Sequence, residues 1–182
     1  MTRALLIFAH PYPERSRANH TLLAAARELE HVEVRSLYDL YPAFDIDIQA
    51  EQHALRRAEL VIWQHPLYWY SVPGLMKQWF DKVLARGFAF GEGGTALRGK
   101  RCFWVATTGG SEADYSSQGM HAYPFEKFVP VVEQTARFCG MVWEEPLIVH
   151  SAHQAGQRSL EEMADKYRSR LQLLLGPEGD AR

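Results

Sequence analysis

The sequence predicts an α/β protein in which a doubly wound parallel sheet of five strands carries helices on both faces. Short runs, such as residues 4–9 and 102–106, are apolar throughout, which is typical of strands covered on both sides. These runs alternate with longer segments of helical periodicity, a pattern that indicates parallel strands joined by right-handed crossovers. A length of 182 residues with 47% hydrophobic content predicts a single domain, 1–182, with a sizeable core.

Local signals place the predicted elements along the chain. The first helix begins at residue 17 or 18, because Ser16 suits the position that caps a helix N-terminus. Pro73 suits the first turn of a later helix, where its missing N–H would have no partner, and Gly87 is predicted to end that helix. The predicted strands are 4–9, 32–37, 60–64, 101–106 and a region at 141–149 broken near Pro146; the predicted helices are 17–29, 49–58, 74–86, 125–139 and 159–175.

Five strands connected in this way favour the order 2-1-3-4-5 of a flavodoxin-like sheet. Ligands of such sheets bind outside the carboxyl ends of the strands, where the strand order reverses, which is here between strands one and three. The loops predicted to meet at that point are 10–19, 65–73 and 107–121.

Composition narrows the class of function. A formal net charge of −2 gives no electrostatic reason to expect nucleic acid as a partner. Cys102 and Cys139 are predicted to be small buried hydrophobes in a reducing compartment, with the cytoplasm as the default location, because no run suits a signal peptide or a membrane span. His150 and His153 form an HxxH, but no carboxylate or thiolate has suitable spacing, so no metal site is predicted. Residues 176–182 are expected to be a frayed tail.

The loop at 107–121 carries the most informative pattern. It opens with Thr107, Thr108, Gly109 and Gly110 at the predicted carboxyl end of strand four. Glycine has no Cβ to hold a flat ring away from the backbone, and neighbouring N–H groups can point at the polar edge of such a ring. Taken alone, these four residues are also typical of a simple turn.

Tyr115 and His121 follow in the same loop and are the candidate catalytic residues. A histidine can donate or accept a proton near neutral pH, and a tyrosine hydroxyl can stabilise negative charge that develops on an oxygen. Each residue alone is equally compatible with an ordinary surface position. The expected convergence of three loops on one crevice favours the functional interpretation.

The other two loops supply candidate binding residues. His10, Ser16 and Asn19 lie where a loop becomes a helix N-terminus, and free N–H groups and the helix dipole attract a phosphate there; a purely structural cap at Ser16 is the alternative. In the third-strand loop, aromatic residues between prolines suggest a platform for a planar ring, and a core-closing cluster or a subunit contact is the alternative. The platform residues are Pro66, Leu67, Tyr68, Trp69 and Tyr70.

The segments TTGGSEADYSSQGMH, FAHPYPERSRAN and VIWQHPLYWYSVPGLMKQWFDKVL resemble the flavodoxin-like NAD(P)H:quinone oxidoreductase family. That family includes the ancillary flavoprotein subunits of glutathione-regulated potassium efflux systems, and the resemblance covers nearly the whole chain. It implies that Tyr115 and His121 form the catalytic pair. It also implies a flavin site made by His10, Ser16, Arg17, Ala18, Asn19, Pro66, Leu67, Tyr68, Trp69, Tyr70, Thr107, Thr108, Gly109 and Gly110.

The resemblance also implies the chemistry and the partners. FMN is the expected cofactor, with FAD left open, since the larger FAD-binding quinone reductases carry a C-terminal extension not expected here. NAD(P)H would reduce the flavin and a quinone would reoxidise it. A homodimer in the cytoplasm is expected. The alternative function is regulation of a potassium efflux antiporter at the inner face of the membrane, with the flavin largely structural, and an α/β binding module without flavin is a third.

Overall fold

The computed structural model describes residues 3–176 and contains a parallel sheet with helices on both faces. The strands are β1 (Ala4–Phe8), β2 (Val32–Ser36), β3 (Leu60–Pro66), β4 (Arg101–Thr107), β5 (Val142–Trp143) and β6 (Leu147–Val149). The helices are α1 (Arg17–Arg27), α2 (Leu37–Leu40), α3 (Ile48–Arg57), α4 (Gly74–Val83), α5 (Val129–Phe138) and α6 (Gln157–Leu175). Of the tail expected at 176–182, all but Gly176 lies outside the described residues.

The strand order is β2-β1-β3-β4-β5, and every pairing is parallel. Leu6 of β1 pairs with Val34 on one side and with Ile62 on the other. The order reverses between β1 and β3, which confirms the order 2-1-3-4-5 predicted from the sequence. The carboxyl ends of β1, β3 and β4 therefore meet at one edge of the sheet.

The last predicted strand region is divided in two. β5 pairs with Arg101 and Cys102, whereas β6 pairs with Val105 to Thr107 further along the same edge of β4. Pro146 has no N–H to donate to β4, and it lies in the interruption between the two strands. The break near Pro146 was predicted, but the sheet has six strands rather than five.

The core lies on both faces of the sheet. Side chains alternate along β1, so that Leu5 and Ile7 pack on the face covered by α3, α4 and α5, whereas Leu6 and Phe8 pack on the face covered by α1 and α6. Both faces are covered by helices, which is why the central strands are mostly apolar rather than alternating between apolar and polar residues. Cys102 and Cys139 are buried free thiols, as predicted.

Most predicted helix ends agree with the structure within two residues, and two helices differ more. α4 ends at Val83 rather than at residue 86, because the Ala85 carbonyl accepts from the N–H groups of Phe88 and Ala89 in a turn of its own. The predicted helix 125–139 is a short 3-10 turn at Phe125–Lys127 followed by α5. A proline in the first turn of α5, Pro130, cannot donate to a preceding carbonyl and so starts a new helix.

A buried carboxylate joins four elements beneath the sheet edge. Glu51 of α3 is fully buried, and its Oε1 accepts from Arg35 Nε and from the Tyr41 hydroxyl, each at 2.6 Å. Its Oε2 accepts from the indole N–H of Trp79 at 2.8 Å. The cluster formed by Arg35, Tyr41, Glu51 and Trp79 ties α3 to β2, to the end of α2 and to α4. Burial of Glu51 is tolerated because each carboxylate oxygen has a charged or polar partner.

His65 near the end of β3 is a neutral hydrogen-bonding residue. Its Nε2 accepts from the indole N–H of Trp104 at 2.8 Å, so its proton is on Nδ1, which donates to the Pro66 carbonyl at 2.9 Å. Complete burial lowers the pKa of His65 from its ordinary 6.5 to about 4. His65 therefore has a structural role at the end of the strand.

The free energy of unfolding is expected to fall by about 3 kcal/mol from His65 alone as the pH drops from 6.5 to about 4. In that window the unfolded chain binds a proton on His65 and the folded chain does not, so acid favours unfolding. Urea unfolding at pH 7 and at pH 4 measures the loss. The variant His65→Gln does not titrate and should lose less stability over the same interval; an equal loss would contradict this assignment.

Candidate functional site

A groove of about 220 Å³ lies at the carboxyl edge of the sheet, where β1, β3 and β4 end. The three loops predicted to meet at the switch point all contribute to it. Its lining residues are His10, Tyr12, Arg15, Ser16, Asn19, Pro66, Leu67, Tyr68, Thr107, Thr108, Gly109, Ala152 and His153. Nine of the fourteen residues predicted to bind the flavin are among them.

The N-terminus of α1 forms one end of the groove. Ser16 caps the helix, because its Oγ accepts from the backbone N–H of Asn19 at 3.3 Å and from the Asn19 side-chain amide at 3.0 Å. The same amide donates to Thr107 Oγ1 at 2.8 Å, which ties the helix to the end of β4. Ser16 is thus both the structural cap and a lining residue, and the two interpretations of its role are compatible.

Asn19 also leaves an acceptor without a partner. Its side chain is 1% exposed, and its Oδ1 is buried with no hydrogen bond to any residue in 3–176. Buried polar atoms in folded proteins are nearly always paired, so an orphaned acceptor beside a groove indicates that a donor from a ligand or water belongs there. A hydroxyl group is the simplest donor that fits.

His10 presents a donor to the same end of the groove. Its Nδ1 accepts from the Tyr12 backbone N–H at 3.0 Å, so the hydrogen of the neutral ring is on Nε2. Burial lowers the pKa of His10, the nearby Glu14 raises it in part, and the proximity of His153 lowers it further. A bound anion would reverse the effect of burial by favouring the protonated ring.

The loop after β3 turns sharply at two aromatic residues. Tyr68 and Ser71 exchange backbone hydrogen bonds of 3.0 Å in both directions, and the two residues between them, Trp69 and Tyr70, have φ values of 49° and 61°. This left-handed conformation costs roughly 1–2 kcal/mol for each residue with a side chain. Strain of this kind concentrates at functional sites, where the surrounding structure maintains it. The Trp69 side chain is 93% exposed.

Beyond Gly109, the two predicted catalytic residues stack on each other. The rings of Tyr115 and His121 lie 4.2 Å apart with an angle of 26° between their planes. The Tyr70 hydroxyl is 3.3 Å from His121 Nδ1, and the Tyr70 ring stacks on Phe128. Burial raises the pKa of Tyr115, and the neighbouring Thr108 hydroxyl opposes that effect. The strained turn after β3 therefore places Tyr70 against His121.

The backbone around His121 is fixed by a capping box. Asp114 Oδ2 accepts from the N–H and the hydroxyl of Ser111 at 2.7 and 2.8 Å, and the Asp114 carbonyl accepts from the His121 N–H at 3.0 Å. His121 Nε2 is buried against Gly110 and has no partner within residues 3–176. The ring is thus positioned by its neighbours, while one nitrogen has no hydrogen-bond partner among the described residues.

Gly110→Ala is expected to lower any turnover that depends on His121 by about 10- to 100-fold, as a misplacement of about 1 Å at a reacting group does. A Cβ at residue 110 would lie 2.6 Å from His121 Nε2, so the imidazole must leave its stack with Tyr115. The backbone itself is not strained, because Gly110 has no positive φ. Steady-state rates measure the effect. Gly74→Ala is the matched control, since nothing lies within 4 Å of its Cβ; a Gly110→Ala rate equal to this control would contradict the packing argument.

The remaining predicted residues lie around the groove rather than in its lining. The Arg17 side chain extends toward Gln157 at 3.4 Å, and Ala18 is buried, so only their backbone N–H groups at the start of α1 are available to a ligand. Trp69 and Tyr70 project from the strained turn, and Gly110 lies behind His121. Their binding roles stay predictions.

The loop after β6 also lines the groove, which was not predicted from the sequence. His153 and Ala152 line the groove, and the His153 ring lies 3.3 Å from the position of a Cβ on Gly109. Tyr12 and Arg15 of the first loop also line it. The HxxH pattern was considered only as a metal site, although a histidine at the carboxyl end of a strand beside β4 is a signal for a groove residue. Among residues 3–176, no group of three His, Cys, Asp or Glu side chains is arranged to hold a metal.

A protein family described by its flavodoxin-like fold matches residues 2–171 of the chain. The chain belongs to this family. A relative in Citrobacter koseri, the glutathione-regulated potassium-efflux system ancillary protein KefF, is 50% identical over 168 residues, which cover 92% of this chain and 94% of the relative. The resemblance stated from the sequence motifs is thereby confirmed.

Solved structures agree with this membership. General stress protein 14 from Treponema denticola, determined in complex with FMN, is 32% identical with a TM-score of 0.87, and the match covers 93% of this chain and 97% of that chain. An NADPH-quinone reductase from P. pentosaceus is 26% identical with a TM-score of 0.84, over 98% of this chain and 100% of that chain. In the part of the chain that the structure describes, none of the helices has the length and apolarity to cross a bilayer.

Proposed function

We propose that the chain binds FMN in the groove and acts as an NAD(P)H:quinone oxidoreductase, with Tyr115 and His121 as its catalytic residues. The observation that carries the proposal is the continuity of the groove with the stacked pair. Thr108 and Gly109 line the groove, and the next residue, Gly110, lies directly against the His121 ring that stacks on Tyr115. An FMN complex and a quinone reductase among its structural relatives support the same function.

The groove offers each part of FMN a chemically suitable partner. The phosphate would be held at the start of α1, where the N–H groups of Arg17 and Ala18 and the Nε2–H of His10 can donate. A ribityl hydroxyl would donate to the unpaired Oδ1 of Asn19. The flat ring would lie against Leu67 to Tyr70 and over the backbone of Thr107 to Gly110, and Gly109, which is exposed, permits close approach there.

When bound, the flavin supplies two-electron chemistry by accepting a hydride from NAD(P)H and passing it to a quinone. The protein orients the stacked rings and stabilises the charge that develops. His121 would balance negative charge by carrying a proton on Nε2, the nitrogen that has no protein partner within residues 3–176. The Tyr115 hydroxyl would donate a hydrogen bond to an oxygen of the flavin or the quinone.

Flavin binding is tested with purified protein stripped of cofactor. Titration with FMN, FAD and riboflavin should show FMN bound most tightly and riboflavin weakened by the loss of the phosphate contacts. Turnover of NADH and NADPH with a menadione-like quinone should then depend on FMN. Equal affinity for riboflavin and FMN would contradict the phosphate site, and the absence of quinone reduction by the FMN-loaded protein would contradict the enzymatic function.

Regulation of a potassium efflux antiporter is the second candidate, favoured by 50% identity to KefF. In that role the protein would be a cytoplasmic homodimer that binds the inner face of the membrane through the antiporter. Co-expression with the antiporter, followed by efflux measurements, tests it. The double variant Tyr115→Phe and His121→Ala separates the two roles: efflux activation that survives loss of turnover would show that the flavin is structural there.

A further inference from the structure

The Tyr70 side chain from the turn after β3 packs into the aromatic residues around His121. Its ring centroid lies 5.7 Å from that of His121, edge to face, and 5.2 Å from that of Phe128, on which it stacks. The Tyr115 ring contacts the same two neighbours, with centroids 4.2 Å from His121 and 6.0 Å from Phe128. Tyr70 therefore links the turn after β3 to the loop after β4 and to the residue that precedes α5.

The Tyr70 hydroxyl contacts His121 at Nδ1. The two atoms are 3.3 Å apart, and hydrogen bonds between catalytic groups are often this long in the free enzyme and shorten in the complex with substrate. The hydroxyl reaches this place from a strained backbone, because the φ values of Trp69 and Tyr70 are 49° and 61°. An ordinary surface turn would use glycine at such positions, so the strain points to a role for the Tyr70 side chain.

A carboxylate lies on the opposite side of the imidazole. His121 Nε2 and Asp114 Oδ2 are 2.6 Å and 3.4 Å from the position that a Cβ on Gly110 would occupy. Hydrogen bonds from the Ser111 hydroxyl and N–H lower the pKa of Asp114, which is therefore ionised at neutral pH. A negative charge near Nε2 favours a hydrogen on that nitrogen. Nδ1 of the neutral imidazole is then an acceptor, and the Tyr70 hydroxyl is the donor that it needs.

We propose that Tyr70 is a positioning residue for His121, acting through the contact between its hydroxyl and Nδ1. This inference rests on the proposed catalytic role of His121. In the neutral imidazole, Tyr70 donates its hydrogen to Nδ1 and so keeps the ring hydrogen on Nε2. When the imidazole takes up a proton from water at Nδ1, the phenol turns its own hydrogen to the solvent, to which Tyr70 is 44% exposed, and its oxygen accepts the new N–H. The same side chain thus orients the imidazole in both protonation states.

Tyr70→Phe removes the hydroxyl and keeps the ring that stacks on Phe128. In the FMN-loaded protein it should lower kcat for quinone reduction by about 10- to 100-fold, as misplaced catalytic groups do, with FMN binding and the KM for NAD(P)H little changed. The backbone strain is the same with either aromatic side chain, so the fold should be retained. The matched control is Tyr123→Phe, since Tyr123 is exposed and lies two residues after His121 in the chain.

Combination with His121→Ala shows whether Tyr70 acts through the histidine. If it does, Tyr70→Phe has no imidazole left to misplace, and the double variant should be as slow as His121→Ala alone. Equal slowing by Tyr70→Phe with and without His121 would overturn the inference. Normal kcat in Tyr70→Phe together with slow turnover in His121→Ala would overturn the positioning role and leave the proposed function intact. Normal kcat in His121→Ala would overturn the role of His121 and the inference with it.

A measurement on the flavin-free protein does not depend on catalysis. Nitrogen-15 NMR of the histidine rings distinguishes the two neutral tautomers, and neutral His121 is expected to carry its hydrogen on Nε2. Tyr70→Phe should shift the Nδ1 resonance of His121, whereas Tyr123→Phe should leave it unchanged. A neutral His121 with its hydrogen on Nδ1, or an Nδ1 resonance that does not respond to Tyr70→Phe, would overturn the inference.

Discussion

Replacement of His121 by alanine, or of Tyr115 by phenylalanine, is expected to slow NAD(P)H-dependent quinone reduction by roughly 10- to 1000-fold while the flavin stays bound. Each change removes one of the two groups that can hold or donate a proton beside the reacting rings, and neither lines the groove. Steady-state rates and flavin absorbance, measured on the same preparations, separate loss of chemistry from loss of cofactor.

His53→Ala is the control for the histidine variant, because His53 is exposed on α3, away from the groove lining. Its rate should match that of the original protein. Unchanged rates in both His121→Ala and Tyr115→Phe would remove these residues from the mechanism. Loss of the flavin in either variant would indicate a binding role instead.

Glu51→Leu is expected to lower the free energy of unfolding by about 3–5 kcal/mol. The carboxylate is fully buried and accepts from three side chains, so its removal leaves the Arg35 guanidinium, which is 18% exposed, without its closest anion. The Tyr41 hydroxyl and the Trp79 indole lose their acceptor at the same time. Urea unfolding monitored by tryptophan fluorescence measures the loss.

Glu162→Leu provides the comparison, since Glu162 pairs with Arg158 on the exposed surface of α6. Exposed pairs of this kind contribute about 0–1 kcal/mol. Glu51→Gln, which keeps an acceptor oxygen, should fall between the two. A Glu51→Leu variant as stable as Glu162→Leu would mean that this cluster adds nothing to the fold.

The sheet and the position of the groove follow from the sequence because their signals are local. Strands buried on both faces are mostly apolar, and the runs 4–9 and 102–106 satisfy that condition. Once the order 2-1-3-4-5 is accepted, the carboxyl ends of strands one, three and four must meet. Nine of the predicted flavin contacts line the resulting groove for this reason.

Other parts of the site depend on tertiary contacts that carry no local signal. The turn at Trp69 and Tyr70 contains no glycine or asparagine to indicate positive φ values, and only the surrounding packing maintains it. In the sequence, Glu51 has the pattern of an exposed charged residue on an amphipathic helix. Its burial is explained only by the contacts with Arg35 and Trp79, which are distant in the chain. The contact between His150 and Thr108 joins residues 42 positions apart, so no local pattern in the sequence predicts it.

Anaerobic reduction and reoxidation of the FMN-loaded protein tests the central claim most directly. Addition of NADPH or NADH should bleach the flavin absorbance at about 450 nm, and a menadione-like quinone added afterwards should restore it. The bleached band should persist without the quinone. A flavin that stays oxidised with both nicotinamides, or that stays reduced after the quinone is added, would contradict the proposed oxidoreductase.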